Sequence, residues 1–484
     1  MQLELLSFGL EPFLPIYTLA IFSIMTPAMN RLGIRVLKRE VSAGWSIFNL
    51  LFALAITIFE MPKYIGTPTL IGDVLKIDRF SLFFIFVFLM VAIFISIASI
   101  RYMADDPNQE IYYTLLPLST LGMILVAFSV DLVVLYLAWE LMSIPTYVLV
   151  CIRKNDPLAN EAAVKYFIFG AISSAILLFG ISLIYGITGT TRISLIADYL
   201  STMDSSINPF ALLSLISFVA GFGIKITAVP FHMWAPDTYE GAPTPVSGFL
   251  AGGSKKAGFA AIIRVIIIGM TVLRVDWGFA FAILALVTMT YGNISALMQK
   301  TFTRLLAYSS IAHAGYILIG LAASTSLGIA GVLYHVLNHT IMTSAAFVAA
   351  TAVLLKMKSA DLESYNGLSK HMPITAFTLT IILVALTGIP PTNGFFSKLI
   401  LFTAAIDAGL LWLAIAGVLN TAFSLAYYAW IIKRMYIDEP KDFNVTKEPI
   451  SCVFILIIAS VLVIVTGIFS APILEFIMAS IQTL

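Results

Sequence analysis

The sequence predicts an all-helical polytopic membrane protein of about fourteen transmembrane helices, and three observations carry that prediction. Of 484 residues, 60% are hydrophobic and only 11% are charged, too few charges to cover a soluble domain of this length. Apolar runs of about 20 residues recur from end to end, the length that crosses a hydrocarbon core of ~30 Å. The basic residues also alternate by loop. With the N-terminus outside, the inner loops hold 17 lysines and arginines, among them Arg31, Arg35, Arg101, Arg153, Lys165, Lys300 and Arg304. The outer loops hold five: Lys63, Lys76, Arg79, Arg192 and Arg274. A miscounted span would mix the two sets, so the alternation supports the count and places both termini outside. The expected location is a prokaryotic cell membrane.

The spans are expected near 11–29, 41–59, 80–99, 112–129, 132–151, 166–187 and 209–234, then 243–272, 277–297, 305–323, 327–355, 374–405, 411–432 and 450–476. The first run is followed, not preceded, by Arg31 and Arg35, which marks a span and not a cleavable leader. Loops are short, so the chain reads as one membrane domain. The net charge of +1 implies no nucleic-acid face. Cys151 and Cys452 form no CxxC pair, and neither cluster ligands nor a haem-attachment motif is present. Gly221 and Gly223 lie inside a span, outside any strand–helix setting for a dinucleotide. Redox chemistry therefore belongs to other chains.

Six ionisable residues fall within spans: Glu140, Lys225, Lys255, Lys256, Arg264 and Lys398. Such groups face the bundle interior and mark ion or proton paths, or else packing ion pairs. Glu140 is nine residues from Asp131 and thirteen from Arg153, too deep to snorkel easily to either surface. Lys225 lies five residues before Pro230, which cannot donate to the Ile226 carbonyl and so breaks the seventh span. Pro390 and Pro391 remove bonds to Leu386 and Thr387 and break the twelfth span ahead of Lys398. Backbone broken at membrane depth is tolerated only against protein or cavity water. Two interrupted spans, one in each half, point to an inverted-repeat transporter.

Gly252 and Gly253 precede Lys255 and Lys256 and allow close approach or unwinding. Adjacent helical residues point about 100° apart, so one of the two lysines is expected on the pathway. Arg264 reads as a structural partner. His335 and His339 share a face at i,i+4. They are either hydrogen-bonded core residues or a relay between Lys255 and Lys398, since imidazole titrates near neutrality. The acid of a zinc HExxH motif is missing. His232 and His313 read as structural.

The stretches WELMSIPTYVLV, GFGIKITAVPFHMWAPDTYEGAPTPVSGFLAGGSKKAGFAAIIRV, QKTFTRLLAYSSIAHAGY and GIPPTNGFFSKLILF resemble subunit N of respiratory complex I. The resemblance covers roughly residues 80–435, and VPFHMWAPDTYEGAPTPV is its most specific part. It implies fourteen helices with two inverted five-helix units, 112–272 (helices 4–8) and 277–435 (helices 9–13). Helices 1–3 within residues 1–111 and a last helix within 450–484 flank them. It further implies a proton-translocating, antiporter-like subunit of an NADH–quinone oxidoreductase or relative. Residue by residue, the family's proton-path glutamate and lysines match Glu140, Lys225, Lys398 and, by its place before AGF, Lys255 rather than Lys256. The eleventh span, YHVLNHTIMTSAAF, is closer to the sister subunits L and M. That leaves open an archaeal deazaflavin-dependent dehydrogenase reducing a membrane phenazine. Either way the resemblance implies no cofactor on this chain. Flavin, iron–sulfur clusters and the quinone or methanophenazine site belong to a peripheral redox arm and to sister and small membrane subunits, with lipid around them. A multisubunit sodium/proton antiporter shares fold and charges, and the VPFHMWAPDTYEGAPTPV stretch argues against it.

Overall fold

The computed structural model describes residues 14–37, 41–202, 208–440 and 447–482. Residues 11–13 of the first expected span, Lys38, Arg39 and Lys441, and both chain ends lie outside the described residues.

Helices α1 (Leu14–Leu37) and α2 (Ser42–Tyr64) lead into a hairpin of β1 (Thr69–Ile71) and β2 (Leu75–Ile77). Then come α3 (Arg79–Tyr102), α4 (Gln109–Phe128), α5 (Leu132–Val150), α6 (Pro157–Thr188), α7 (Ile193–Thr202) and α8 (Pro209–Ile226). Short α9 (Trp234–Gly241) and α10 (Thr244–Phe249) continue into a π-helical turn (Leu250–Ser254), α11 (Lys255–Ile262) and a second π-helical segment (Ile263–Ile268). Helices α12 (Arg274–Leu297), α13 (Phe302–Ala323), α14 (Ser326–Met357) and the single turn α15 (Leu368–His371) follow. The chain closes with α16 (Pro373–Thr387), α17 (Asn393–Asp407), α18 (Leu411–Tyr436), α19 (Ile450–Ile468) and α20 (Ser470–Ile481).

By length and composition, 11 described helices can each cross a membrane. Three more expected spans have other forms: α1 is less apolar, the eighth is the composite α10–α11 segment, and the twelfth is split into α16 and α17. Together these match the fourteen crossings expected. Helices α3, α13 and α14 are buried along most of their length and form the centre, while α2, α6 and α18 turn most of their surface outward. Burying polar backbone is harmless in these helices because each satisfies its own hydrogen bonds.

Four features differ from the sequence expectations. Lys165 lies in the body of α6, which starts at Pro157 because Asp156 caps it, and not in a loop. The hairpin β1–β2 occupies the loop after α2, where Val130 N–H donates to the Val74 carbonyl. Amphipathic α7 lies between α6 and α8 and buries Ile193, Ile196 and Leu200. The last span ends at Ile468, and α20 is a separate helix.

Arg264 is the structural residue expected. Its Nη2 lies 2.8 Å from Asp78 Oδ1, with both side chains almost wholly buried. The same guanidinium covers the Phe80 ring and bonds the Ala127 carbonyl, so it locks the second π-helical segment to α3 and α4. Breaking such a pair typically costs about 3–5 kcal/mol, because one charge is left buried alone.

Candidate functional site: a buried line of lysines and histidines

Both breaks occur where the prolines put them. Helix α8 ends at Ile226, Thr227 takes a left-handed conformation (φ 60°), and the chain runs through Pro230 to α9. Helix α16 ends at Thr387, Gly388 turns with φ 91°, a conformation that suits glycine, and α17 starts at Asn393. The groups these breaks expose are taken up individually. Trp234 Nε1–H donates to the Ile224 carbonyl at 2.9 Å, and Val229 N–H donates to Thr288 Oγ1 at 3.0 Å. Across the second break, Lys398 Nζ donates to the Thr387 and Leu386 carbonyls at 2.8 and 3.2 Å, and it stands 4.6 Å over the Tyr316 ring.

Lys225 is buried at the end of α8. Its Nζ donates to Ser143 Oγ (3.0 Å) and Tyr166 Oη (3.2 Å), with the Trp139 and Tyr166 rings close by. Glu140, on the same helix as Ser143, accepts from Ser174 Oγ and is only partly buried. Among the described residues no ion pair joins Glu140 to Lys225. The two charges are therefore apart here, with Ser143, one helical turn from Glu140 on α5, and Tyr166 holding the ammonium.

Lys255 and Lys256 are both buried. The 100° between them does not carry either to lipid, because α11 is enclosed on every side and all eight of its residues are buried. Lys255 Nζ donates to the Ser310 carbonyl (2.7 Å) and hydroxyl (3.0 Å) on α13. Lys256 Nζ meets His339 Nδ1 on α14 at 2.6 Å. The π-helical turn before them packs tightly on α14. A Cβ on Gly252 would collide with Ser344 Oγ, and Thr340 Oγ1 donates to the Gly252 carbonyl. π-Helical turns inside α-helices are frequent at functional sites.

His335 and His339 are joined by a histidine that sequence reasoning assigned to structure alone. His313, on α13, sets Nδ1 3.0 Å from His335 Nε2, and its ring centroid is 4.4 Å from that of His339. His335 Nδ1 lies 3.0 Å from Ser397 Oγ, next in sequence to Lys398. A line of titratable groups thus runs from Lys256 through His339, His313 and His335 to the foot of Lys398. No group of three or more metal-ligating residues suited to an ion is found among the described residues.

Residues 129–424 match the family model described as "NADH:quinone oxidoreductase/Mrp antiporter, TM". The chain belongs to this family. It is 43% identical to F(420)H(2) dehydrogenase subunit N of Methanosarcina mazei, over 86% of each chain. It is 40% identical to NADH-quinone oxidoreductase subunit N of Trichlorobacter lovleyi, over 85% of each. The fold superposes on a chain of respiratory complex I from Thermus thermophilus with a TM-score of 0.80 and 28% identity, covering 96% of this chain and 100% of that one. The chain is thus an antiporter-like membrane subunit of the subunit N type, and its broken helices with buried lysines sit in the family's shared membrane fold.

Proposed function

We infer that this chain translocates protons as subunit N of a complex I-type oxidoreductase that passes electrons to a quinone or phenazine carrier in partner subunits. The observation that carries this reading is the buried line of Lys256, His339, His313 and His335, which lies between Lys255 and Lys398. From Lys256 to His335 every member is a side chain that can hold a proton, and the Ser397 hydroxyl closes the line one residue before Lys398. A protein needing only packing at these positions would use apolar residues, since buried charge is costly.

Glu140 and Lys225 act as the control pair. At ~4 Å two unit charges attract by about 4 kcal/mol at an effective dielectric of 20. Closed, the pair holds the lysine charged. Open, as here, the lysine is held by hydroxyls instead of the carboxylate and is free to pass its proton toward Lys255. Residues 112–272 form the unit that takes protons up and residues 277–435 the unit that releases them, with Lys398 at the outward end. Both termini lie on the outer side of a prokaryotic cell membrane. Flavin and iron–sulfur clusters belong to a peripheral redox arm, and sister antiporter-like and small membrane subunits adjoin this chain.

Replacing His335 and His339 together in the intact complex tests this function. Proton pumping should slow with assembly intact, and unchanged pumping would return both to structural roles. The second reading, a subunit of a sodium/proton antiporter, draws on the family model, which spans both classes. Purification of the native complex separates them, because redox subunits must co-purify under the first reading.

A further inference from the structure

Lys255 and Lys256 are neighbours in sequence but not in chemistry. Lys255 faces the first broken helix: a Cβ added to Gly258, three residues on and on the same side of α11, would touch Lys225 Cβ and Cγ at 3.7 Å. Its bonds go to the Ser310 carbonyl and hydroxyl. A carbonyl accepts a hydrogen bond but does not carry a proton onward. Lys256 faces the other way, and its hydrogen-bond partner among the described residues is a titratable nitrogen, His339 Nδ1 at 2.6 Å.

One set of tautomers satisfies this geometry, since Ser397 Oγ–H donates to the Gly394 carbonyl and so accepts from His335. With Lys256 charged, His339 Nδ1 is the acceptor and Nε2 carries the hydrogen. His335 Nδ1–H can donate to Ser397, which makes its Nε2 the acceptor for His313 Nδ1–H. His313 is then left with a bare Nε2, the one ring nitrogen of the three that is buried without a partner. An unpaired buried acceptor calls for an explanation. The His313 and His339 ring centroids are 4.4 Å apart, and Thr343 Oγ1 lies 3.5 Å from His339 Nε2.

We propose that Lys256 is the residue that hands protons from the eighth span into the histidine line, with Lys255 receiving them from the Lys225 side. This rests on the proton-translocating reading above. In the step, a Lys256 Nζ–H bond breaks and its electron pair stays on nitrogen, while the His339 Nδ1 lone pair takes the proton. The resulting imidazolium releases its Nε2 proton toward His313, so each transfer conserves charge along the line. The two lysines share one mobile proton, because two charges on adjacent buried residues repel.

The test uses the intact complex in proteoliposomes, reading electron transfer, proton flux per electron and subunit content. Lys256→Gln keeps a hydrogen-bond donor toward His339 but holds no transferable proton. Flux should fall roughly a hundredfold, the lower end of what a positioned proton carrier supplies, with assembly normal, and Lys256→His should restore part of it. If Lys256→Gln does not assemble, Lys256→Arg takes its place: it keeps charge and donors yet cannot deprotonate. An assembled arginine variant that does not pump supports the proposal, and one that pumps at full rate overturns it. Full pumping by Lys256→Gln alongside loss in Lys255→Gln would overturn the hand-off and leave the translocating reading standing. If neither of these variants nor Lys398→Met alters flux, the translocating reading itself fails.

Discussion

In the first broken helix the lysine comes before the break, and in the second it comes after. That reversal changes what each lysine can do. Lys398 sits over the end of α16 and satisfies the very carbonyls that Pro390 and Pro391 left open. It acts as the C-terminal cap of a half-helix, favoured by the negative end of the dipole. Lys225 belongs to α8 itself, and an exposed carbonyl of its helix end, Ile224, is served by Trp234 and Thr227. Its ammonium is left to side-chain hydroxyls on two other helices. One site holds its charge on fixed backbone. The other holds it on rotatable Ser143 and Tyr166, within a turn of Glu140, and is the easier to switch.

The largest effect should follow loss of the backbone-held charge. Lys398→Ala in the intact complex should abolish pumping but spare electron transfer more than removal of a redox centre would. It also leaves two buried carbonyls unpaired, at about 1–3 kcal/mol each, so a lower thermal midpoint should accompany it. Full retention of pumping would place Lys398 off the path and reduce it to a helix cap.

Next comes the switchable site. Glu140→Gln and Lys225→Met should each remove most pumping, and the double variant should be no worse than either single. Because the two side chains are not in contact here, coupling between them would have to come from a second, closed arrangement. Independent, additive losses in the double-mutant cycle would mean that no such arrangement exists.

How far these sites were legible follows from what each depends on. The breaks at Pro230 and Pro390–Pro391 were legible because a missing N–H is a property of the residue itself. Spans were legible for the same local reason. His313 was not, since its role depends on α13 and α14 lying side by side, and nothing at the sequence position of His313 reports His335 across a helix pair. The buried partnership of Lys256 was hidden too. A helical-wheel argument presumes one wet face, whereas α11 has neighbours all round and its preceding π-helical turn shifts the register. The open Glu140–Lys225 arrangement was equally out of reach, because charge alone favours closure and only the placement of Ser143, Tyr166 and Ser174 offers the alternative.

The smallest expected effect sharpens the comparison most directly. Trp234 stacks on Tyr166 with ring centroids 4.8 Å apart, and its Nε1–H serves the Ile224 carbonyl. Trp234→Phe keeps a ring against Tyr166 and removes only that donor. The carbonyl retains a weaker bond from Thr227 N–H at 3.2 Å, so the stability cost should sit near 1 kcal/mol. The functional cost follows from the freed lone pair. It lies one residue from Lys225 in sequence, and a turn of the lysine side chain toward it would give the ammonium a backbone acceptor of the kind that holds Lys398. A gain of about 1 kcal/mol for the held form slows release roughly fivefold, so pumping should drop severalfold while assembly and electron transfer change little. Trp234→Phe pumping at the parental rate, with its thermal midpoint lowered as expected, would show that the hydroxyl-held lysine owes nothing to the indole. The difference between the two broken helices would then lie in Glu140 alone.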